Sequence, residues 1–186
     1  FALSDVTDQA FLRISADTRY VAYLNGEEIA RGPVRGVRSH WFYDEVDIAS
    51  HLRCGANLLA VSVWNYGWST YQTIASEGGL CFELCADGET LCRSDESVHC
   101  RRDEGHQSFR PKRNVNLGFT DSYDARRFSQ NWIWDSAASA AWDSAAIIRD
   151  VWGALTRSPI NAWDRAYRKP VRVSRAFLAE NGYQQV

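Results

Sequence analysis

The chain has 186 residues, a formal net charge of −2 and 45% hydrophobic residues, which suits one folded domain with or without a tail. No stripe of Lys and Arg follows a predicted face, so nothing indicates a nucleic-acid partner. No apolar run approaches the ~20 residues of a membrane helix, so no membrane partner is expected either. Because the chain begins at Phe1 and contains no Met, we expect it to be part of a longer protein.

The first third of the chain predicts short strands joined by tight turns. Leu12, Ile14 and Ala16 alternate with polar residues, as in a strand with one buried face. The apolar segment 20–24 ends at Asn25-Gly26, a strong hairpin signal because both residues tolerate positive φ. Residues 41–48 alternate again, and residues 49–53 predict one helical turn that ends before a glycine.

The run from Leu58 to Val63 is almost continuously apolar, which is typical of a strand covered on both faces. We expect it to be a central strand. Leu80 to Cys85 alternates, and Asp87-Gly88 predicts a second hairpin. Many short strands, with turn signals every eight to twelve residues, predict an all-β fold, an antiparallel β-sandwich.

The strand from Leu58 ends in a cluster of aromatic residues. Stacking of aromatic rings on a sugar, together with planar polar groups for its hydroxyls, is the usual chemistry of carbohydrate recognition. The candidate carbohydrate-binding residues are Trp64, Asn65, Tyr66, Trp68 and Tyr71, joined by Arg38 and Trp41 from a loop that could lie beside them. The same aromatic residues could instead pack on another domain or fill the core, and Trp64 is the best core candidate because it still lies on the strand.

The carboxylates and histidines give no catalytic constellation. Asp44 and Glu45 are adjacent on a predicted strand and point to opposite faces, so they do not form an acid–base pair across a cleft. We expect Asp44 to form a structural ion pair with an arginine such as Arg38. His40 and His51 lack a nucleophile motif and are interpreted as loop or turn residues.

The five cysteines, at positions 54, 81, 85, 92 and 100, follow no metal-binding spacing and are expected to be free thiols. Free thiols favour the cytoplasm, although secretion remains open. No metal ligand set is predicted. Calcium is possible as a cofactor but has little support, because Asp87, Asp121 and Asp124 are scattered and form no binding loop.

The C-terminal part has weaker signals. Trp134 to Ala138 is repeated as Trp142 to Ala146, a spacing that could place both tryptophans on one helix face, although chance also explains it. We expect residues 103–116 to form a long loop and residues 157–173 a linker. The predicted domain boundary separates a sandwich, residues 1–155, from a tail, residues 156–186.

Six short motifs, in order, resemble the N-terminal β-sandwich domain of bacterial α-L-rhamnosidases and related glycoside hydrolases. They are Ala16 to Tyr20, Tyr23 to Gly26, Arg31 to Arg35, Tyr43 to Ile48, Leu52 to Val61 and Val63 to Gly67, followed by Gly118 to Arg126 and Trp142 to Ala145. The resemblance covers residues 1–150 and implies a galactose-binding-like jelly roll.

In that family, catalysis resides in a following helical barrel. The resemblance therefore implies that this chain is a non-catalytic, carbohydrate-binding-like accessory domain. Its partners would be the catalytic and other domains of the same parent chain and rhamnose-containing glycans. The alternative is a purely structural module that docks on the catalytic domain without binding sugar.

Overall fold

The computed structural model describes residues 1–107, 116, 120–149 and 152–160. Most of the predicted loop at 103–116, part of the motif at 118–126 and most of the predicted linker at 157–173 lie outside the described residues. The strands in the described part are β1 (Ala2–Leu3), β2 (Ala10–Asp17), β3 (Arg19–Leu24), β4 (Glu27–Gly32), β5 (Trp41–Asp47), β6 (Gly55–Ala56), β7 (Leu59–Trp64), β8 (Gly79–Ala86), β9 (Glu89–Arg93), β10 (His99–Cys100), β11 (Asp143–Ser144) and β12 (Leu155–Arg157). Three short 3₁₀ helices span Ala49–His51, Asn131–Ile133 and Ser136–Ser139.

The larger sheet has five strands in the order β12-β5-β2-β8-β9. The pairs within β5-β2-β8-β9 are antiparallel, and β12 lies parallel to β5 at one edge. Strand β12 includes residues on both sides of the predicted domain boundary at 155. On the outer face, Glu45 forms two ion pairs. Its carboxylate lies 3.0 Å from Arg13 Nε and 3.1 Å from Arg157 Nη2.

The smaller sheet has three strands in the order β4-β3-β7, all antiparallel. The prediction that residues 58–63 form a central strand covered on both faces is wrong, because β7 lies at the edge of this sheet. Ala60 is buried, but the Val63 side chain is 39% exposed. An apolar run cannot distinguish a doubly covered strand from an edge strand that borders an apolar cleft.

The core lies between the two sheets and confirms the predicted antiparallel sandwich. Alternating residues of β2 meet alternating residues of β3, as the period of two requires. The largest buried side chains of the two facing sheets are Leu12, Ile14, Leu84, Tyr20 and Leu24. The jelly-roll order of the connections remains a prediction.

Both predicted hairpins are confirmed. Asn25 and Gly26 have φ of 53° and 90°, and they join β3 to β4. Asp87 and Gly88 have φ of 50° and 83°, and they join β8 to β9. Left-handed backbone is easiest for glycine and is tolerated by Asn and Asp, so the local sequence determines these turns.

Residues 128–142, the covering segment, have little regular structure and lie on the outer face of the smaller sheet. Trp132 meets the ring of Tyr23 edge-on, with centroids 6.1 Å apart, and Trp142 lies against both Trp132 and Phe128. The repeat that contains Trp134 and Trp142 does not form one helix, because short 3₁₀ turns occupy this region. In the part of the chain that the structure describes, no helix is long and apolar enough to span a membrane.

Candidate functional site

A large cleft of about 1560 Å³ borders the smaller sheet. Its walls come from β3, β4, the middle of β5, the end of β7 and the loop that follows it, together with residues 101–107, 120–121 and 157–160 and the aromatic residues Phe128, Trp132 and Trp142. The cleft is therefore formed where the edge strand β7 ends and the covering segment begins.

Trp64 is the last residue of β7 and lines this cleft. His106, from residues 101–107, lies against it, with the two rings nearly perpendicular and 4.9 Å between centroids. The side chain is half-buried, so Trp64 is neither a fully buried core residue nor a free surface residue. Trp64 is thus the residue at which the sheet ends and the exposed aromatic loop begins.

The loop at 65–78 is held by its own polar side chains. Asn65 accepts a 2.7 Å hydrogen bond from the amide of Gly67 and donates to the Asp17 carbonyl and to Ser76 Oγ, each at 3.4 Å. Thr70 and Thr73 close a smaller turn within the loop. The amide group of Asn65 therefore positions the loop.

The aromatic residues of this loop differ in exposure and direction. Tyr66 is half-buried, lines the cleft and lies under the guanidinium of Arg19, 6.0 Å from the ring centroid. Trp68 also lines the cleft and is 72% exposed, whereas Tyr71 is 76% exposed and lies outside the cleft. The structure thus brings Trp64, Tyr66 and Trp68 together at one cleft.

Arg38 and Trp41 do not join that group and do not line the cleft. The ring of Trp41 stacks on Trp152, with centroids 6.0 Å apart and an interplanar angle of 6°. The carbonyl of Arg38 accepts a hydrogen bond from the amide of Gly153. Both residues therefore anchor the segment that leads into β12.

The two sheets are linked at the cleft by Tyr20 and Asp44. Tyr20 Oη donates a 2.6 Å hydrogen bond to Asp44 Oδ2, so the predicted ion pair between Asp44 and an arginine such as Arg38 is wrong. Burial raises the pKa of Asp44, while the hydrogen bond from Tyr20 opposes that shift. Gly32 leaves the space for this contact, because a Cβ there would lie 2.0 Å from Asp44 Oδ2.

His106 and Asp103 line the cleft although the sequence indicated neither residue, and Asp121, considered only as a calcium ligand, lies beside them. His106 Nδ1 lies 3.1 Å from Asp103 Oδ2, and His106 Nε2 lies 3.5 Å from Asp121 Oδ1. Tyr123 packs on the same imidazole, with centroids 4.6 Å apart. The spacing between these aspartates in the sequence follows no motif, so only the fold reveals this cluster.

The aspartates weighed as calcium ligands have separate partners. Asp87 accepts a hydrogen bond from Thr7, and Asp121 faces His106. Two hydrogen bonds from Arg126 lower the pKa of Asp124 to about 2. Within the described residues, no group of three or more His, Cys, Asp and Glu side chains is arranged to hold a metal ion.

No protein-family model and no curated protein matches the chain. Solved structures do match it. A GH78 family rhamnosidase of Bacillus sp. GL1 is 35% identical with a TM-score of 0.76, and the match covers 84% of this chain and 17% of the rhamnosidase. The α-L-rhamnosidase from Dictyoglumus thermophilum shares the fold with a TM-score of 0.68 at 20% identity, over 84% of this chain and 18% of its own.

A third structure is the Streptomyces avermitilis α-L-rhamnosidase complexed with L-rhamnose, with 25% identity and a TM-score of 0.59. That match covers 77% of this chain and 15% of the enzyme. This chain therefore spans less than one fifth of each of these neighbours. The resemblance predicted from the sequence is confirmed: over most of its length, this chain is similar to a small part of the GH78 α-L-rhamnosidases.

Proposed function

We propose that this chain is a non-catalytic accessory domain of a larger α-L-rhamnosidase-like glycoside hydrolase, and that it binds rhamnose-containing glycans. Support for the parent enzyme comes from the match to part of a GH78 rhamnosidase at 35% identity. The observation that carries sugar binding is the convergence of Trp64, Tyr66 and Trp68 on one cleft. The aromatic residues supply flat apolar surface for the sugar ring, and the polar groups of the cleft supply hydrogen bonds.

The two cleft carboxylates that lie on β5 favour a binding role over a hydrolytic one. Asp44 accepts a hydrogen bond from Tyr20. Glu45 lies on the opposite face of β5 and forms ion pairs with Arg13 and Arg157. Neither of these two carboxylates faces the other across the space where a glycosidic bond would lie. We therefore expect the chain alone to show no hydrolysis of an aryl α-L-rhamnoside.

Calorimetric titration with methyl α-L-rhamnoside tests sugar binding. We expect saturable binding that Trp68→Ala weakens by about tenfold, because stacking on one indole contributes roughly 1–2 kcal/mol. Trp134→Ala is a matched control, since Trp134 is 62% exposed and does not line the cleft. The absence of binding heat throughout the millimolar range would reject sugar binding.

The proposed contacts need no cofactor, so EDTA should leave the rhamnoside affinity unchanged. A loss of affinity in EDTA would indicate that a calcium ion belongs to the site.

The alternative is a structural module that docks on other domains of the parent chain through the aromatic loop. The observation that favours it is the exposure of Trp68, Tyr71 and Ile74, at 72%, 76% and 67%, on one loop. Under this alternative, Ile74→Ser would weaken association with the separately produced remainder of the parent enzyme. Under the sugar-binding proposal, the same variant would retain its rhamnoside affinity, because Ile74 does not line the cleft.

A further inference from the structure

His106 lies between two carboxylates in the wall of the cleft. Asp103 Oδ2 is 3.1 Å from its Nδ1, and Asp121 Oδ1 is 3.5 Å from its Nε2. A neutral imidazole carries one N–H and can donate to only one of the two carboxylates, whereas the imidazolium donates from both nitrogens. The arrangement therefore suits the protonated ring, because one carboxylate faces a nitrogen lone pair when the ring is neutral.

The backbone of this wall is held independently of the imidazole. The amide of Gln107 donates to the Ser122 carbonyl at 3.1 Å, and the amide of Asp124 donates to the Gly105 carbonyl at 2.9 Å. Neither hydrogen bond involves a group that titrates. A change of charge on His106 should therefore change how firmly its ring is held, while the wall remains folded.

The same imidazole contacts an aromatic residue of the proposed sugar site. Its ring lies 4.9 Å from that of Trp64, centroid to centroid, at an interplanar angle of 77°. Charge-assisted hydrogen bonds at both nitrogens fix the orientation of the imidazolium, so it should hold the indole more firmly than the neutral ring does. An indole that is already fixed loses less conformational freedom when a sugar stacks on it.

Among the described residues, the other titratable and charged groups near His106 form no ion pair with it. They are Glu104, Arg102 and Arg127, which line a small cavity beside the ring, Tyr123, which packs on it, and Arg19, the register partner of Trp64. Glu104 is paired with Arg101 at 3.3 Å, and the guanidinium of Arg19 lies over the ring of Tyr66. In the described part of the chain, the two aspartates are therefore the groups whose contacts change with the charge of the imidazole.

We propose that His106 is a positioning residue for Trp64, and that protonation of its imidazole strengthens binding of the rhamnose-containing glycan. The inference rests on the proposed function and names a regulation of that site. Histidine side chains change charge between about pH 5 and pH 8, so the affinity should fall as the pH rises through this range. Partly exposed ion pairs are modest in strength, so the affinity should be about threefold higher at pH 5 than at pH 8.

Calorimetric titration of the 186-residue chain with methyl α-L-rhamnoside, at constant ionic strength from pH 5 to pH 8, tests this proposal. His106→Gln should bind with a pH-independent affinity near the wild-type value at pH 8. Asp121→Asn should bind at pH 8 about as tightly as the wild type at pH 5, because its amide can donate to the neutral Nε2. His51→Gln is the matched control and should keep the wild-type pH dependence, since His51 also faces a carboxylate, that of Glu27 at 3.1 Å, but does not line the cleft.

NMR of the imidazole C–H signals gives a second measurement. By linkage, saturating rhamnoside should raise the proton affinity of His106 by the same factor of about three. A wild-type affinity that does not change with pH, or a pH dependence that persists in His106→Gln, would overturn the role of His106 and leave sugar binding intact. Failure of the rhamnoside to bind at any pH would overturn both proposals.

Discussion

Tyr20 and Asp44 join the two sheets of the sandwich by a 2.6 Å hydrogen bond at the edge of the cleft. Tyr20 lies on β3 and Asp44 on β5, so the contact fixes one sheet relative to the other. The Asp44 carboxylate and the Tyr20 ring fill the space that a side chain at Gly32 of β4 would need. The geometry of the cleft therefore depends on a polar contact as well as on the apolar core.

Replacing Asp44 with Asn should change how stability depends on pH. Burial raises the pKa of Asp44 above its ordinary value of 3.8, so folding favours the protonated acid. The stabilisation from this group is fully present below the ordinary pKa and is lost as pH rises through the raised one. The free energy of unfolding of Asp44→Asn, relative to wild type, should thus increase from about pH 3 to pH 7. A relative stability that falls over this range would show that the pKa is lowered instead.

Tyr20→Phe should destabilise the chain by about 1–2 kcal/mol at pH 7, because it leaves a half-buried carboxylate without its donor. Denaturant unfolding measures the loss. The same substitution in the Asp44→Asn background should cost less, since the remaining amide is neutral. Equal costs in both backgrounds would mean that the hydroxyl contributes nothing through Asp44.

Gly32→Ala should be destabilising by about 1–3 kcal/mol, because the new methyl group would overlap Asp44 Oδ2 at 2.0 Å and Tyr20 Cε1 at 2.9 Å. Gly153→Ala is the control: its Cβ would meet only the carbonyl of Arg38, at an ordinary 3.6 Å. Thermal unfolding of the two variants tests the comparison. Equal melting temperatures would show that Asp44 and Tyr20 are not held in place.

Trp41→Ala and Trp68→Ala should have opposite effects on stability and on rhamnoside affinity. Trp41 stacks on Trp152, so its loss should lower stability by about 1–3 kcal/mol and leave rhamnoside affinity unchanged. Trp68 is exposed, so its loss should weaken binding and leave the melting temperature nearly unchanged. If Trp41→Ala binds the rhamnoside more weakly at a temperature where the variant is folded, Trp41 belongs to the binding site after all.

The cysteines should react with iodoacetamide at different rates. Cys54 and Cys100 are exposed, whereas burial raises the pKa of the Cys92 thiol and so lowers its thiolate fraction. Mass spectrometry of peptides after brief alkylation near pH 8 should therefore find modification at Cys54 and Cys100 before Cys92. Prompt labelling of Cys92 would contradict the packing of β9 against the core.

Sequence patterns predicted the features that depend on local chemistry. The Asn25-Gly26 and Asp87-Gly88 turns follow from positive φ, and the alternation in β2 follows from the pleat. The cluster of Trp64, Tyr66 and Trp68 was also visible, because these residues lie within one strand end and its loop.

Contacts between distant segments were not predictable in the same way. The stack of Trp41 on Trp152 joins residues 111 positions apart in the chain. The donor to Asp44 is a tyrosine from the opposite sheet, and no spacing distinguishes it from an arginine in a nearby loop. Likewise, the apolar run of β7 does not show which of its faces borders a cleft.

The central claim, that the aromatic end of β7 binds a rhamnose-containing glycan, is tested most directly by NMR of the ¹⁵N-labelled chain. Titration with methyl α-L-rhamnoside should shift the indole N–H signals of Trp64 and Trp68 with a common saturation curve. The signals of Trp134 and Trp41, which lie outside the cleft, should stay in place. Unchanged signals of Trp64 and Trp68 at tens of millimolar sugar would contradict the account.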